Sequence, residues 1–313
     1  MGNNIKNAFS VFVFGKYEVY LPYYIYTIEK SYPDADVVIF YNAKLSADVK
    51  KYISNKVQVV VYEDFYKDYD YFRNYKMKGG GGMTLLRYLI PSKYFVNYRN
   101  VYFGDVDVLI LKDYQNLFEF HVNQAKEANL PFSNKVRMLP NGGLSKRFTG
   151  LHFIITKPYY KLINPIIEKV FADEVFRNNI IEPVNRDEEF LYQLNKLAFN
   201  FLPENLINNK TPLHGFHLGA FRGGKEIHPN EIRDNSLLSY EEIKAQLGIF
   251  NKNKEFLYIL KTFYNTEMIK TLKYFELYVP IQLRIKYFFK TKYRESALRK
   301  VKIMHYLKLK RNV

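Results

Sequence analysis

Asp105 and Asp107 stand one residue apart in VYFGDVDVLIL (101 to 111), inside a run that is otherwise largely apolar. Ionised carboxylates are costly to bury unless a cation or several hydrogen-bond donors meet them. Read as one strand, the run sends residues two apart to the same face, so the two aspartates emerge together with Val106 opposite. Two carboxylates on one edge suit a hard divalent cation, Mg²⁺ or Mn²⁺, and such an ion neutralises a diphosphate of the kind a nucleotide sugar carries. The chain has no cysteine, so any metal must use oxygen or imidazole. His214 and His217, in HGFHLG, each offer an imidazole that would complete a three-ligand set. The competing reading is a pair of solvated aspartates where a strand runs into a loop.

Other residues have chemistry to offer. Asp187, Glu188 and Glu189 open DEEFLYQLNKLAF (187 to 199), where carboxylates either favour the positive end of a helix or face a ligand. Arg87 lies among Leu85, Leu86, Leu89 and Ile90, and a guanidinium fixed there suits a diphosphate or a sugar hydroxyl, with a surface salt bridge as the rival reading. Tyr17 follows the first strand and can stack on a base or be one half-buried aromatic among 29 tyrosines. Arg222 and Lys225 can clamp phosphates, with Gly223 and Gly224 letting the backbone close in. His152 touches a sugar or fills the core.

The elements that must position these residues alternate. AFSVFVF (8 to 14) reads as a strand and YLPYYIYTIEKSYP as a helix; 36 to 42 is a strand, 43 to 56 a helix and 57 to 65 a strand. This βαβαβ order implies a parallel sheet between helices, with ligands outside the carboxyl ends of the strands. The run bearing the aspartates is the next strand, and Gly104 marks a kink or a close approach. Gly79 to Gly82 form a hinge or lie against a ligand, ahead of a helix ending near Pro91. Residues 112 to 147 look irregular, 149 to 156 form a strand, and the next helix breaks at Pro165. The helix 187 to 199 turns Phe190, Leu191, Leu194 and Leu197 to one side.

The formal charge of +16 is concentrated at the end of the chain. Residues 281 to 313 hold eleven Lys or Arg against one acid, which leaves about +6 for the rest. That balance argues against nucleic acid as partner. The tail interleaves Tyr, Phe, Leu and Ile with its cations and lacks a run long enough to span a bilayer, so it is expected to lie on an anionic membrane surface. The start shows no secretory segment, so the chain is expected in the cytoplasm, peripheral on the inner face of the membrane. A catalytic domain over residues 1 to 240 and a helical basic extension over 241 to 313 are expected.

With its segments in this order, the chain resembles the retaining glycosyltransferases of the GT-A fold, most closely the family-eight type that includes bacterial lipopolysaccharide galactosyl- and glucosyltransferases. FVFGKYEVYLPYYIYTIEKSYP resembles their first strand and helix, MTLLRYLIP their arginine-bearing helix, NVYFGDVDVLIL their metal-binding strand, FTGLHFIIT a later F-N-A-G strand, RDEEFLYQL their D-Q-D helix, and HGFHLGAFRGGK their H-x-x-G-x-x-K segment. The resemblance implies a mixed α/β sheet flanked by helices and transfer of a hexose, galactose or glucose, from a UDP-sugar to a glycan or lipid-linked glycan, with retention, in surface polysaccharide synthesis. It implies a metal held by Asp105, Asp107 and His217, with His214 as runner-up. It implies donor contacts from Phe14, Tyr17, Arg87, Asp105, Val106, Thr149, Gly150, His152, Gly219, Arg222 and Lys225. Asp187 would bind donor hydroxyls and Glu188 would lie beside the anomeric carbon.

The chain departs from the family in places. Gly15 and Lys16 stand where the family has an aspartate, Thr149 where it has Asn, and Glu188 where it usually has Gln; the blood-group-like galactosyltransferases carry Glu in a comparable D-E motif. His217 is followed by Gly219 one residue early. Two other readings remain: a nucleotide-sugar-binding or membrane-surface scaffold without turnover, and a haloacid-dehalogenase-like phosphotransferase. The latter expects its D-x-D near the start of the fold and a later G-D-x-x-x-D cluster, and the chain has neither.

Overall fold

A computed structural model describes residues 6–78, 80–209, 215–224 and 238–293. The chain opens with β1 (Lys6–Val13), α1 (Leu21–Ser31), β2 (Asp36–Tyr41), α2 (Ala47–Ile53) and β3 (Val59–Tyr62). The short α3 (Asp70–Asn74) and the ribbon of β4 (Lys76–Met77) and β5 (Gly80–Gly81) lead into a 3-10 helix, Gly82–Tyr88. There follow β6 (Tyr98–Phe103), β7 (Val108–Ile110), α4 (Leu117–Glu127), β8 (Phe132–Ser133), β9 (Val136–Met138), β10 (Leu144–Phe148) and β11 (His152–Ile155). After α5 (Thr156–Ala172), α6 (Glu174–Ile181) and α7 (Asp187–Phe199) comes β12 (Gly215–His217).

The central sheet has six strands in the order β3-β2-β1-β6-β11-β8. The first four are mutually parallel and β11 runs antiparallel to both neighbours, so the expected mixed α/β sheet, mainly parallel, is present. Alternation along β1 sorts its side chains. Phe9 meets Tyr32 and Phe118 at ring separations of 5.4 and 5.1 Å on the side of α1 and α4, while Ala8 and Phe12 join the cluster built with Leu85, Leu86, Ile163 and Phe190. Helices therefore flank both faces, and burying these large apolar side chains drives the assembly.

Several expectations change. The helix expected before Pro91 is the 3-10 helix, and its first residue, Gly82, packs so tightly on α3 that a Cβ there would lie 2.5 Å from the Phe72 carbonyl oxygen. Residues 112 to 147 are not all irregular: Asn116 accepts hydrogen bonds from the backbone amides of Phe118 and Glu119 and so starts α4. α5 runs through Pro165 without ending, since Tyr160, Ile163, Ile167 and Val170 stay buried on both sides of it. α7 has the expected bounds and buries Phe190, Leu191 and Leu194, but Leu197 faces solvent.

By contact, the described residues up to 217, with 238 and 239, make one compact unit; 218–224 and 240–293 make another. In the second unit, Asn253 and Asn265 cap the helices Lys254–Thr262 and Thr266–Tyr274. Its 3-10 turn Leu218–Gly224 seats Phe221 on Tyr274.

Candidate active site

The parallel pairing of β1 with β6 brings their carboxyl ends to one edge of the sheet, with Ser10 opposite Phe103 and the Gly104 amide donating to the Ser10 carbonyl. Beyond that point the chain leaves the sheet. β6 ends at Phe103, and Asp105 to Val108 form a turn in which the Val108 amide donates to the Asp105 carbonyl oxygen at 3.2 Å. The expectation that both aspartates project from one strand is thus corrected. They occupy a turn closed by that bond, and Gly104 ahead of it packs closely on Tyr102 and the Tyr24 hydroxyl.

The turn still makes one site. β7 continues from it and is held on one side by α1, where Thr27 accepts from the Ile110 amide and Ser31 donates to the Ile110 carbonyl. On its other side β12 pairs antiparallel, setting His217 opposite Val108. That pairing needs Gly215, whose φ is +148° and where a Cβ would lie 1.8 Å from the Leu109 carbonyl oxygen. His217 Nε2 consequently lies 2.9 Å from Asp107 Oδ2, and ligand atoms of Asp105, Asp107 and His217 lie within 4.8 Å of one another. The Asp107 side chain is 5% exposed and that of His217 41%, so the cluster is closed beneath and open above.

A divalent cation fits these residues. Two carboxylates and one imidazole form a donor set that Mn²⁺ accepts readily and Mg²⁺ less so, since Mg²⁺ prefers oxygen throughout.

Arg87 is mostly withdrawn from solvent, so its ion pairs are not those of a surface salt bridge. Its Nη1 donates to Asp105 Oδ1 and its Nη2 to Asp187 Oδ2 at 2.6 Å, with side-chain exposure of only 12%. Burial opposes its charge, but the Tyr88, Asp187 and Asp105 side chains outweigh that and hold its pKa above the ordinary value. The Tyr88 ring lies 4.6 Å from the guanidinium and its hydroxyl donates to the Gly150 carbonyl. At Gly150 a Cβ would meet Arg87 Nη2 at 3.2 Å, Asp105 Oδ2 at 3.8 Å and Glu188 Cγ at 3.9 Å, so Gly150 lines the same space.

The three acids at the start of α7 divide their roles. Glu189 reaches back to accept from the Asn185 amide, as a capping residue does. Asp187 and Glu188 are left to face the site, Asp187 on Arg87 and Glu188 on Arg137 at 3.4 Å. Sequence reasoning missed Arg137, and only its place in the β9–β10 hairpin, which packs on α7, brings it near.

Phe14 and Tyr17 form a half-buried aromatic step past the end of β1, their rings 5.6 Å apart. Val106 is buried within the turn. Thr149 donates from its hydroxyl to Asn134 Oδ1, which fixes the loop ahead of Gly150. Gly219 and Arg222 belong to the second unit, and His214 and Lys225 lie outside the described residues.

His152 fills the core. It is 1% exposed, ringed by Phe132, Phe148 and Tyr159, and its Nδ1 meets Asn134 Nδ2 at 3.1 Å. Burial, aided by the charge of Arg87, pushes its pKa down to about 3. Between that value and about 6.5 the unfolded chain binds the extra proton and the folded chain does not, so stability falls as pH falls. Denaturant titrations should show roughly 2 kcal/mol lost between pH 6.5 and 5 through this group. His152→Phe should remove that share of the pH dependence; an unchanged pH slope would mean the buried ring is not the cause.

Solved structures similar to the chain include glycosyltransferases and a cytidylyltransferase. The galactosyltransferase LgtC in complex with donor and acceptor sugar analogs matches at 13% identity over 67% of this chain and 86% of that one, with a TM-score of 0.45. The glycosyltransferase GlyE of Streptococcus pneumoniae TIGR4 matches in its apo form at 16% identity over 63% of this chain and 44% of that one, TM-score 0.40. The bifunctional glycosyltransferase WbbM matches at 14% identity over 83% and 52%, TM-score 0.39. No protein-family model and no curated protein sequence matches the chain.

Proposed function

We propose that this chain is a metal-dependent glycosyltransferase that moves a hexose, galactose or glucose, from a UDP-sugar to a hydroxyl of a glycan or glycolipid, with retention, in the synthesis of a bacterial-type surface polysaccharide such as lipopolysaccharide or capsule. The observation that carries this reading is the convergence of Asp105, Asp107 and His217 beside the Arg87–Asp187 pair, at the carboxyl end of a mainly parallel sheet. Mn²⁺ or Mg²⁺, when bound, supplies positive charge where the leaving diphosphate gathers negative charge. Arg87 holds Asp105 and Asp187 in fixed relation, so the donor meets a preorganised set of charges. Asp187 accepts hydrogen bonds from hydroxyls of the donor sugar, and Glu188 stabilises positive charge at the anomeric carbon. Phe14 and Tyr17 offer the faces on which the uracil stacks.

The catalytic domain in this reading runs over residues 1 to 240, with 241 to 313 as the extension. Residues 281–293 are helical, and Ile281, Ile285, Phe288 and Phe289 recur at helical spacing, all exposed, among Arg284, Lys286, Lys290 and Lys292. No helix of the described residues is long and apolar enough to cross a membrane. An apolar stripe edged by cations suits the cytoplasmic face of an anionic bilayer, where a lipid-linked acceptor is within reach. In vesicle sedimentation, Ile285→Ser/Phe288→Ser should weaken binding to anionic vesicles by roughly tenfold or more, and binding that is equal on neutral vesicles would refute the surface role.

The test of the function is release of UDP from a panel of UDP-sugars with Mn²⁺, set against the same panel in EDTA. Turnover that EDTA abolishes is expected. No turnover across the panel would leave a nucleotide-sugar-binding scaffold.

A further inference from the structure

A second group of charges lies next to Glu188 and takes no part in the metal cluster. β9 and β10 pair with Phe148 opposite Val136, so Arg147 and Arg137 each adjoin that pair, and the two guanidiniums lie near enough to repel. Arg186, at the start of α7, adds a third cation. The charged groups acting on Arg137 are Glu188, Arg147, Arg186 and Asp187, and neither aspartate of the metal cluster is among them.

The three guanidiniums are short of counter-charge. Arg137 has one long ion pair, 3.4 Å to Glu188. Asp187 is already committed to Arg87. Arg147 makes no ion pair among the described residues, and the Nε atoms of Arg137 and Arg147 are both buried without a hydrogen-bond partner. Burial and the two neighbouring arginines lower the pKa of Arg137 against the pull of Glu188. Buried donors and like charges held together destabilise a fold unless an anion answers them.

We propose that Arg137, Arg147 and Arg186 bind an anionic group of the acceptor, a phosphate or a carboxylate carried close to the hydroxyl that receives the sugar. This rests on the glycosyl-transfer reading, in which Glu188 marks the reacting carbon and the diphosphate of the donor belongs to the metal cluster on the side of Asp105 and Asp107. An acceptor anion docked on the arginines would bring its neighbouring hydroxyl toward Glu188. Guanidiniums match phosphate and carboxylate oxygens in pairs, which favours them over lysines for this task.

The test is calorimetric titration of the full chain with inorganic phosphate and, separately, with glucuronate, at constant ionic strength in EDTA. Saturable binding is expected for one of them, and which one identifies the acceptor as phosphorylated or uronic. Arg147→Gln should weaken it by roughly tenfold or more, Arg147→Lys by less, and Lys146→Gln, which removes the same charge from an exposed neighbouring position, should leave it unaltered. Absence of saturable binding, or equal losses in Arg147→Gln and Lys146→Gln, would overturn the proposal. Because no donor or metal is present, these titrations are independent of UDP release: a failed donor panel refutes the transferase reading and leaves an anion site standing, while failed titrations with a working panel refute only the acceptor anion.

Discussion

Asp107→Asn is expected to reduce donor turnover by about three orders of magnitude, some 4 kcal/mol of transition-state stabilisation. The substitution keeps size and shape, and an Asn side chain can still meet His217, so the local fold should persist. What it removes is the most buried negative ligand of the cluster, at 5% exposure. The Asp105 and Asp107 carboxylates lie close together beside His217, and replacing one charge with a neutral amide relieves their mutual repulsion. The thermal midpoint of the variant in EDTA should therefore equal or exceed that of the parent.

Manganese should separate the two proteins sharply. An ion at a hundred times its dissociation constant stabilises the folded state by about 2.7 kcal/mol, and the parent should show that gain while Asp107→Asn shows little of it. Differential scanning fluorimetry across a Mn²⁺ series reads this without any substrate. An equal Mn²⁺-induced rise in both proteins would place the ion elsewhere and remove the chemical basis of the proposed transfer. Loss of turnover with an unchanged metal response would instead give Asp107 a role toward the donor alone.

The D-x-D pair was legible as chemistry because two acids in an apolar run demand a partner, yet its geometry was not. Strand alternation is a local rule, and it does not reveal that the strand ends at Phe103 with Gly104 packed on Tyr24, a residue distant in sequence. α7 was legible to the residue because an acidic first turn and apolar spacing agree. Leu197 follows the same spacing but lies beyond the reach of the core, which periodicity alone does not reveal. α4 escaped notice because LFEFHVNQAKE mixes polar and apolar residues, and His121 and Gln124 are buried through hydrogen bonds to Ser133. The partners of Arg87 and Arg137 are 18, 100 and 51 residues away. Charge pairing at such separations follows from topology.

Arg87→Leu is expected to cost both stability and activity, because this side chain ties the turn after β6 to the start of α7. Removing one partner of a buried pair leaves the others desolvated and unpaired, at 3–5 kcal/mol. Asp105 is 37% exposed and recovers part of its hydration, whereas Asp187, at 17%, does not; about 3 kcal/mol is the appropriate expectation. For a chain of 313 residues the melting temperature should fall by roughly 5 °C. Arg87→Lys keeps the charge but offers one ammonium where two carboxylates need separate nitrogens, so it should retain more stability than turnover. Adding Asp187→Asn to Arg87→Leu should restore part of the loss, since the unpaired charge goes with it, and the double-mutant cycle would show coupling of at least about 1 kcal/mol. Strict additivity would mean that the guanidinium stabilises the fold through its packing on Tyr88 and not by pairing the two acids. In that event the fixed relation between the metal cluster and the first turn of α7, on which the proposed chemistry depends, would have to come from the backbone alone.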